Sequence, residues 1–294
     1  MEESIGQFVW TPGESGKFRG CPRAYYLRAV APEPDDELVR LRTLVPLAQW
    51  GRQIIAETLA FALSQYCADG KFPVYAELCA HATDQLRVQW RQSKSNIGAD
   101  VPSGLLLAEH YFDREGIGIA RETTDALKTS IEDALSGFVS SGVVEELATL
   151  SREALLMHDL QARIMFDCDG VKMPAQFDSG VIYRDSAGKT HIVAWHTGGE
   201  DRELASYAMA CRIFYAMSHW KLPLDALVPE AVLLNDGGRR RGYFFTQENL
   251  KNIAAQIKSE MRMMRGLGTA PEAYPATNDS ERCAQCLFRA YCGR

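Results

Sequence analysis

Four of the eight cysteines lie at the two far ends of this 294-residue chain. Cys21 begins the run Cys-Pro-Arg-Ala-Tyr-Tyr, and Cys283, Cys286 and Cys292 stand in the C-terminal segment. A soft metal ion or an iron–sulfur cluster bound by all four thiolates would join the first and last segments of the chain. This constraint would hold the two ends together, whatever fold lies between them.

The composition, 46% apolar and 24% charged, predicts a globular protein with a substantial buried core. No apolar run approaches the roughly 20 residues of a membrane span, and the start lacks the features of a signal peptide. We therefore expect a cytoplasmic protein with no membrane partner. The net charge of -6 argues against a general polyanion binder, so that any contact with nucleic acid needs a local basic patch.

In a reducing compartment, the cysteines are not expected to form disulfides. The clustered ones are therefore interpreted as metal ligands. The other four are expected to be small buried apolar residues: Cys67, Cys79, Cys168 and Cys211.

The hydrophobic pattern predicts an α/β fold in a single domain over 1–294. The first part, about 1–152, is predicted to be helical, with helices at 21–30, 44–68, 82–94 and 122–150. A sheet core is predicted over about 153–266, beginning with a three-stranded meander at 155–166, 172–184 and 191–195. It continues with a helix at 201–220, strands at 229–235 and 239–245, and a helix at 246–266. Residues 267–294 form a connector and the C-terminal cysteine segment.

The cysteine spacing is a C-x2-C-x5-C run plus one distant thiol. Four thiolates suit a [4Fe-4S] cluster, and they equally suit an all-cysteine zinc site. A structural zinc site usually draws its ligands as two short chelating pairs, whereas this pattern is one plus three. The pattern favours iron and sulfide, with zinc and free structural cysteines as alternatives.

Four further segments accompany the cysteines in a fixed order. They are Gly51-Arg52-Gln53-Ile54-Ile55-Ala56, Ala175-Gln176-Phe177-Asp178-Ser179-Gly180, Ile192-Val193-Ala194-Trp195-His196-Thr197-Gly198 and Glu203-x3-Tyr207. Together with the cysteines, this order resembles the iron–sulfur branch of the PD-(D/E)XK nucleases, which includes RecB-like CRISPR-associated exonucleases and the C-terminal nuclease domain of AddB. Members carry segments similar to Gly-Arg-x-x-His-Glu, Gly-Arg-Ile-Asp-Arg-Ile, Val-Val-Asp-Tyr-Lys-Thr-Gly and Gln-x3-Tyr.

The resemblance covers most of the chain. It implies a restriction-endonuclease-like fold, in which a central mixed sheet is flanked by helices. It also implies a [4Fe-4S] cluster that joins the N-terminal and C-terminal segments through Cys21, Cys283, Cys286 and Cys292.

The chemistry of the implied active site departs from the family. There, a histidine, two acidic residues and a backbone carbonyl hold Mg²⁺ or Mn²⁺, and a lysine orients the attacking water. Here only Asp178 remains, with Tyr207 on the following helix, because Ile55, Ala194 and His196 stand in place of the histidine, the second carboxylate and the lysine. One carboxylate would hold Mg²⁺ or Mn²⁺ weakly, so we expect a degenerate site.

An alternative keeps the activity. Asp178 and His196 could hold Mn²⁺ or Zn²⁺, with Glu200 or Asp201 joining from the adjacent loop. The chain would then be a metal-dependent DNA exonuclease with a rebuilt metal site.

Two groups of arginines are candidates for contact with nucleic acid. Arg239, Arg240 and Arg241 are consecutive on a predicted strand, so at most two project the same way, and a solvated hairpin edge is the alternative. Arg23 lies beside Cys21 and could form a second patch with other arginines near the cysteines: Arg19, Arg28, Arg282 and Arg289.

The sequence therefore predicts a catalytically degenerate nuclease-fold protein with a structural cluster. By analogy with the family, it binds DNA or scaffolds a nucleic-acid complex in repair, recombination or phage defence. A helicase, an integrase or another nucleic-acid-processing protein is the corresponding protein partner. The rivals are the active exonuclease and an iron–sulfur redox or sensing module.

Overall fold

The computed structural model describes residues 10–32, 35–98, 104–113, 116–157, 163–168, 171–176, 180–198 and 202–292, with the backbone alone for 163–168 and 171–176. The helices before the sheet are α1 (Pro12–Gly20), α2 (Pro22–Tyr25), α3 (Asp36–Thr43), α4 (Leu47–Asp69), α5 (Tyr75–Ser95), α6 (Ala108–Phe112), α7 (Arg121–Ser140) and α8 (Val143–Ala148). The strands are β1 (Leu155–Met157), β2 (Arg163–Cys168), β3 (Val171–Gln176), β4 (Gly180–Arg184), β5 (Thr190–His196), β6 (Leu227–Leu233) and β7 (Arg239–Gly242). The remaining helices are α9 (Arg202–His219), α10 (Gln247–Gly266), α11 (Ser280–Ala284) and α12 (Arg289–Cys292).

The fold is α/β, with a mixed sheet flanked by helices. Among the described residues, this sheet has five strands in the order β1-β4-β5-β6-β7. Strands β5 and β6 are parallel, and the other neighbours are antiparallel. Strand β5 is buried at nearly every position, as expected for a strand with helices on both faces.

The two faces of β5 belong to different cores. Ile192 and Ala194 pack with residues of α9 and α10, on what we call the α9 face. Val193 and Trp195 pack with residues of α4, α5 and α7, on what we call the α4 face. This division follows from the alternation of side chains along a strand.

The order of the predicted three-stranded meander is confirmed, because β1, β4 and β5 are consecutive antiparallel neighbours, but its first two strands are interrupted. Strand β1 pairs with β4, whereas β2 and β3 pair with each other in a separate two-stranded sheet within the described residues. The predicted strands at 155–166 and 172–184 are therefore each divided between two sheets. A period-2 pattern predicts a strand but does not identify its partner, so the pattern could not reveal the division.

Several predicted helix and strand bounds also change. The predicted helix over 122–150 is divided into α7 and α8 at Gly142, which has a φ of 76°. Left-handed backbone of this kind favours glycine and ends α7. Residues 21–30 form the short helix α2 and a π-helical turn, and helices α1 and α3 were not predicted. The strand predicted over 239–245 ends at Gly242.

Helix α10 agrees closely with the prediction. Thr246 caps it, because its side chain accepts a hydrogen bond from the backbone N–H of Asn249 at 3.1 Å. Within the described residues, none of the helices has the length and apolar character needed to cross a membrane.

Candidate functional site

The four predicted cysteine ligands line one cavity. Cys21 lies between α1 and α2, Cys283 lies on α11, Cys286 follows that helix, and Cys292 ends α12. We call this the cysteine cavity, and its other lining residues are Ala24, Leu27, Phe288 and Arg289. The structure thus brings together side chains from the two ends of the sequence.

Local structure positions Cys21 at the start of α2. Pro22 occupies the first helical position, which suits its fixed φ. The Sγ atom of Cys21 accepts a hydrogen bond from the backbone N–H of Ala24 at 3.5 Å. The thiol is therefore held in the cavity by the turn that begins the helix.

Two short helices position the other three thiols. Asp279 caps α11, because its side chain accepts from the backbone N–H of Arg282 at 3.0 Å. The N–H of Cys286 donates to the carbonyl of Cys283 at 3.2 Å, which closes a tight turn between these ligands. The N–H of Cys292 donates to the carbonyl of Phe288 at 3.1 Å, and Phe288 is itself buried in the core.

Contacts outside the cavity also join the two ends of the chain. The N–H of Arg23 donates to the carbonyl of Pro275 at 3.2 Å. The rings of Tyr26 and Tyr274 lie 5.0 Å apart, between their centroids.

Gly20 allows a close approach between the same two segments. A Cβ at this position would lie 1.7 Å from Nη1 of Arg282, so a larger residue would displace that side chain. The cavity is therefore part of a packed interface between the terminal segments.

The surroundings of Cys286 in the cysteine cavity oppose the ionisation of its thiol. Burial raises the pKa of the Cys286 thiol, and the neighbouring thiols Cys21, Cys292 and Cys283 raise it further. Four thiolates at this position would need a compensating cation, because each negative charge disfavours the next. In the described part of the chain, no group of three or more histidine, cysteine, aspartate or glutamate side chains is arranged to hold a single metal ion.

The donor set fits an iron–sulfur cluster. Such clusters are held by four cysteine thiolates, which is the set that lines the cavity. Ala24, Leu27 and Phe288 complete the wall with apolar side chains. Cys21 is buried, whereas Cys283, Cys286 and Cys292 are half-buried.

The residues at the end of β5 are buried on the α9 face. Ala194 is 4% exposed and His196 is 8% exposed. Ala194 pairs with Gly180 of β4, and the carbonyl of His196 accepts from the N–H of Leu234 at 2.8 Å. We call Gly180, Ala194 and His196 the β4–β5 site. Asp178, which the sequence predicted as its remaining acid, lies outside the described residues, as do Glu200 and Asp201.

Ile55 does not share a core with Ala194. It is buried on α4 and packs with Val193 and Trp195, on the α4 face. As a counterpart of the family's metal-binding histidine, Ile55 would approach the face that carries Ala194, but it lies on the opposite face. Sequence spacing does not specify which face of the sheet a helix covers.

Tyr207 lies in a polar network that joins three helices. Its hydroxyl hydrogen-bonds to Oε1 of Glu203 and lies 3.0 Å from Oε1 of Gln256 on α10. Burial raises the pKa of Tyr207, and the hydrogen bond to Glu203 adds to the effect. The hydroxyl therefore stays protonated at neutral pH.

Arg19 of α1 extends this network. Its guanidinium carbon lies 5.3 Å from the centroid of the Tyr207 ring, and it donates to Glu203 at 3.1 Å and to Glu260 at 2.8 Å. Trp10 donates from Nε1 to the same buried Glu260 at 2.8 Å. The network fixes α1, and with it the approach to Cys21, against α9 and α10.

The three arginines of β7 have different surroundings. Arg240 donates two hydrogen bonds to Glu230 and also contacts Glu146, so its charge is engaged by two carboxylates. Arg239 is exposed and pairs with Asp236. The guanidinium carbon of Arg241 lies 5.4 Å from the centroid of the Tyr243 ring. These contacts favour a role in the fold for Arg240, while nucleic-acid contact by the three arginines stays a prediction.

The ion network around Arg240 was not predicted from the sequence. Glu230 also contacts Nδ1 of His191 at 3.1 Å, and Nε2 of His191 lies 3.2 Å from Asp185. Burial lowers the pKa of His191, but the hydrogen bonds to Glu230 and Asp185 outweigh it and raise the pKa overall. Charged residues inside apolar strands were the available signal, since such groups need partners when buried.

No protein-family model matches this chain, and a search of curated proteins finds no match.

Proposed function

We propose that this protein is a nuclease-fold protein of the PD-(D/E)XK type that holds a [4Fe-4S] cluster and binds DNA without cleaving it. The observation that supports this proposal most is the cysteine cavity, where Cys21 meets three thiols of the C-terminal segment. The five-stranded mixed sheet between helices is compatible with such a fold. When bound, the cluster supplies a covalent connection between the terminal segments.

The residues around the cavity prepare this connection. The N–H of Ala24 orients the Cys21 sulfur, and the turns around Cys283 and Cys286 orient theirs. Phe288 shields the cavity with a buried ring. Because burial and the neighbouring thiols raise the pKa of Cys286, iron would stabilise a thiolate that the cavity alone does not favour.

The β4–β5 site supports the absence of cleavage. Hydrolysis by a hard divalent ion needs oxygen ligands that water and substrate can reach. Ala194 has no such ligand, and both Ala194 and His196 are buried. Asp178 would be the only acid retained from the family's set.

Basic residues beside the cavity support DNA binding. Arg23 and Arg28 follow Cys21 in the sequence and are half-buried, and Arg282 and Arg289 are exposed on the C-terminal segment. We call these four the cavity-side arginines. Neutralising phosphate charges by such residues gives salt-dependent binding that does not depend on base sequence. A helicase, an integrase or another nucleic-acid-processing protein would be the protein partner of this complex.

A redox or sensing role is the second candidate. Three cluster ligands are half-buried rather than sealed, and Arg289, which lines the cavity, is exposed. A cluster held there would lie near the surface, within reach of an electron donor or an oxidant.

The DNA proposal can be tested by fluorescence anisotropy with labelled single-stranded and double-stranded oligonucleotides. We expect Arg23→Glu/Arg289→Glu to weaken binding at least about tenfold, because two phosphate contacts are lost and two repulsions are added. The control is Arg87→Glu/Arg91→Glu on α5, which changes the net charge equally at exposed positions. Equal losses in both variants would contradict a binding surface beside the cluster.

Cleavage is measured on the same DNA. We expect single-stranded and double-stranded DNA to stay intact when the protein is added with Mg²⁺. Cleavage that disappears in Asp178→Ala would instead establish the active exonuclease with a rebuilt metal site.

A further inference from the structure

Helix α9 carries a buried arginine on the side that covers the β4–β5 site. Arg212 is 4% exposed, and its neighbours in sequence, Cys211 and Ile213, belong to the apolar core on the α9 face. A guanidinium keeps its charge in proteins, so burial places a permanent positive charge in this core.

Gly180 locates that charge on the sheet. A Cβ built on Gly180 would lie 2.9 Å from Nη1 of Arg212. Gly180 is directly paired with Ala194, and the Cβ atoms of such pairs lie about 5 Å apart. Ala194 packs in the same core as α9. The guanidinium therefore lies beside position 194, where the resemblance implies that a carboxylate has been lost.

The charge of Arg212 changes what this position can bind. A buried guanidinium needs acceptors and has several N–H donors for them. Arg212 already has interactions within the chain, and its donors allow more than one acceptor. A second cation close to it would be strongly disfavoured, because charge repulsion is weakly screened in a buried region.

We propose that Arg212 is the built-in cation of the β4–β5 site, so that a carboxylate at position 194 would be bound by Arg212 rather than by a divalent metal ion. The assignment of position 194 as a lost ligand rests on the proposed function. The position of Arg212 beside Ala194 does not depend on it. The site would thus differ from a metal site in the charge of the group that it binds, because it would bind an anionic side chain and exclude a cation.

The test compares two substitutions of nearly equal size, Ala194→Asp and Ala194→Asn. Both add similar volume to a buried position, so the cost of packing nearly cancels. We expect Ala194→Asp to have the higher melting temperature at pH 7, by about 3 °C, the scale of one favourable ion pair in a chain of this size. In an Arg212→Gln background, that advantage should disappear or reverse.

Mn²⁺ provides the second measurement. We expect no Mn²⁺-dependent rise in the melting temperature of Ala194→Asp, and no binding in calorimetry. An Ala194→Asp protein that is less stable than Ala194→Asn, or that binds Mn²⁺ while Arg212 is present, would overturn the proposal. If Arg212→Gln does not fold, the comparison of Ala194→Asp with Ala194→Asn in the wild-type background and the Mn²⁺ measurement still test the proposal.

Iron content and DNA affinity are measured on the same samples. They report on the proposed function separately, because the cysteine cavity and the cavity-side arginines are unchanged in these variants. A failure of the cluster or of DNA binding would therefore leave the test of Arg212 valid.

Discussion

The cysteine cavity and the β4–β5 site differ in where their positive charge comes from. In the cavity, four thiols of one kind meet, and burial together with the other three thiols raises the pKa of Cys286. In the β4–β5 site, Ala194 offers no charge and the guanidinium of Arg212 lies next to its partner Gly180. The cavity would need a metal to keep its cysteines as thiolates, whereas the β4–β5 site already contains the guanidinium cation of Arg212. We therefore propose metal binding for the cavity and not for the sheet.

The largest expected effect is the removal of one cavity thiol. We expect Cys286→Ser to lose its iron and to lower the free energy of unfolding by about 4 kcal/mol, the scale for opening a very long closed loop. Metal binding and folding are coupled at such sites, so both losses should appear together. Iron analysis and urea unfolding under anaerobic conditions measure them.

The matched control is Cys67→Ser, at another half-buried cysteine that does not line the cavity. This variant should keep its iron and most of its stability. If the two serine variants behave alike, the cavity has no special role and the comparison between the two sites fails.

A smaller effect is expected at the ion network on β7. Arg240→Met leaves Glu230, which is 9% exposed in its side chain, without its bidentate partner. Because Arg240 and Glu146 are partly exposed, we expect a loss of about 2 kcal/mol, below the range for fully buried pairs. Urea unfolding measures this loss.

Arg239→Met is the control, since Arg239 makes an exposed pair with Asp236. Its expected loss is below about 0.5 kcal/mol. A larger loss of stability from Arg239→Met than from Arg240→Met would contradict the structural role given to Arg240. The pair of variants thus tests whether the charge of Arg240 stabilises the fold.

The smallest effect is a pH dependence from His191. Its pKa is raised in the folded state, so the charged ring stabilises the fold below its unfolded pKa of about 6.5. This contribution is lost as the pH rises through the folded pKa. We expect the wild-type melting temperature to fall above pH 6.5 relative to that of His191→Gln. Equal pH dependence of the melting temperature in the two proteins would show that the charge of His191 does not stabilise the fold.

Capping predicted helix α10 and local spacing predicted the three C-terminal cysteines, whereas the approach of Cys21 to them was implied by the resemblance. Thr246 begins α10 as expected, and three of the four cysteines are close in sequence. The separation of β2 and β3 from the main sheet, the core of Ile55 and the position of Arg212 were not predictable in this way. Each depends on which face or strand a segment meets, and that choice is made by packing between distant residues.

The central claim, that the cysteine cavity holds an iron–sulfur cluster, is tested most directly by the metal content of protein purified without oxygen. We expect a brown protein with broad absorption near about 400 nm, and about four iron atoms and four sulfides for each chain. The colour should disappear in Cys286→Ser and persist in Cys67→Ser. A colourless protein with one equivalent of zinc would contradict the claim.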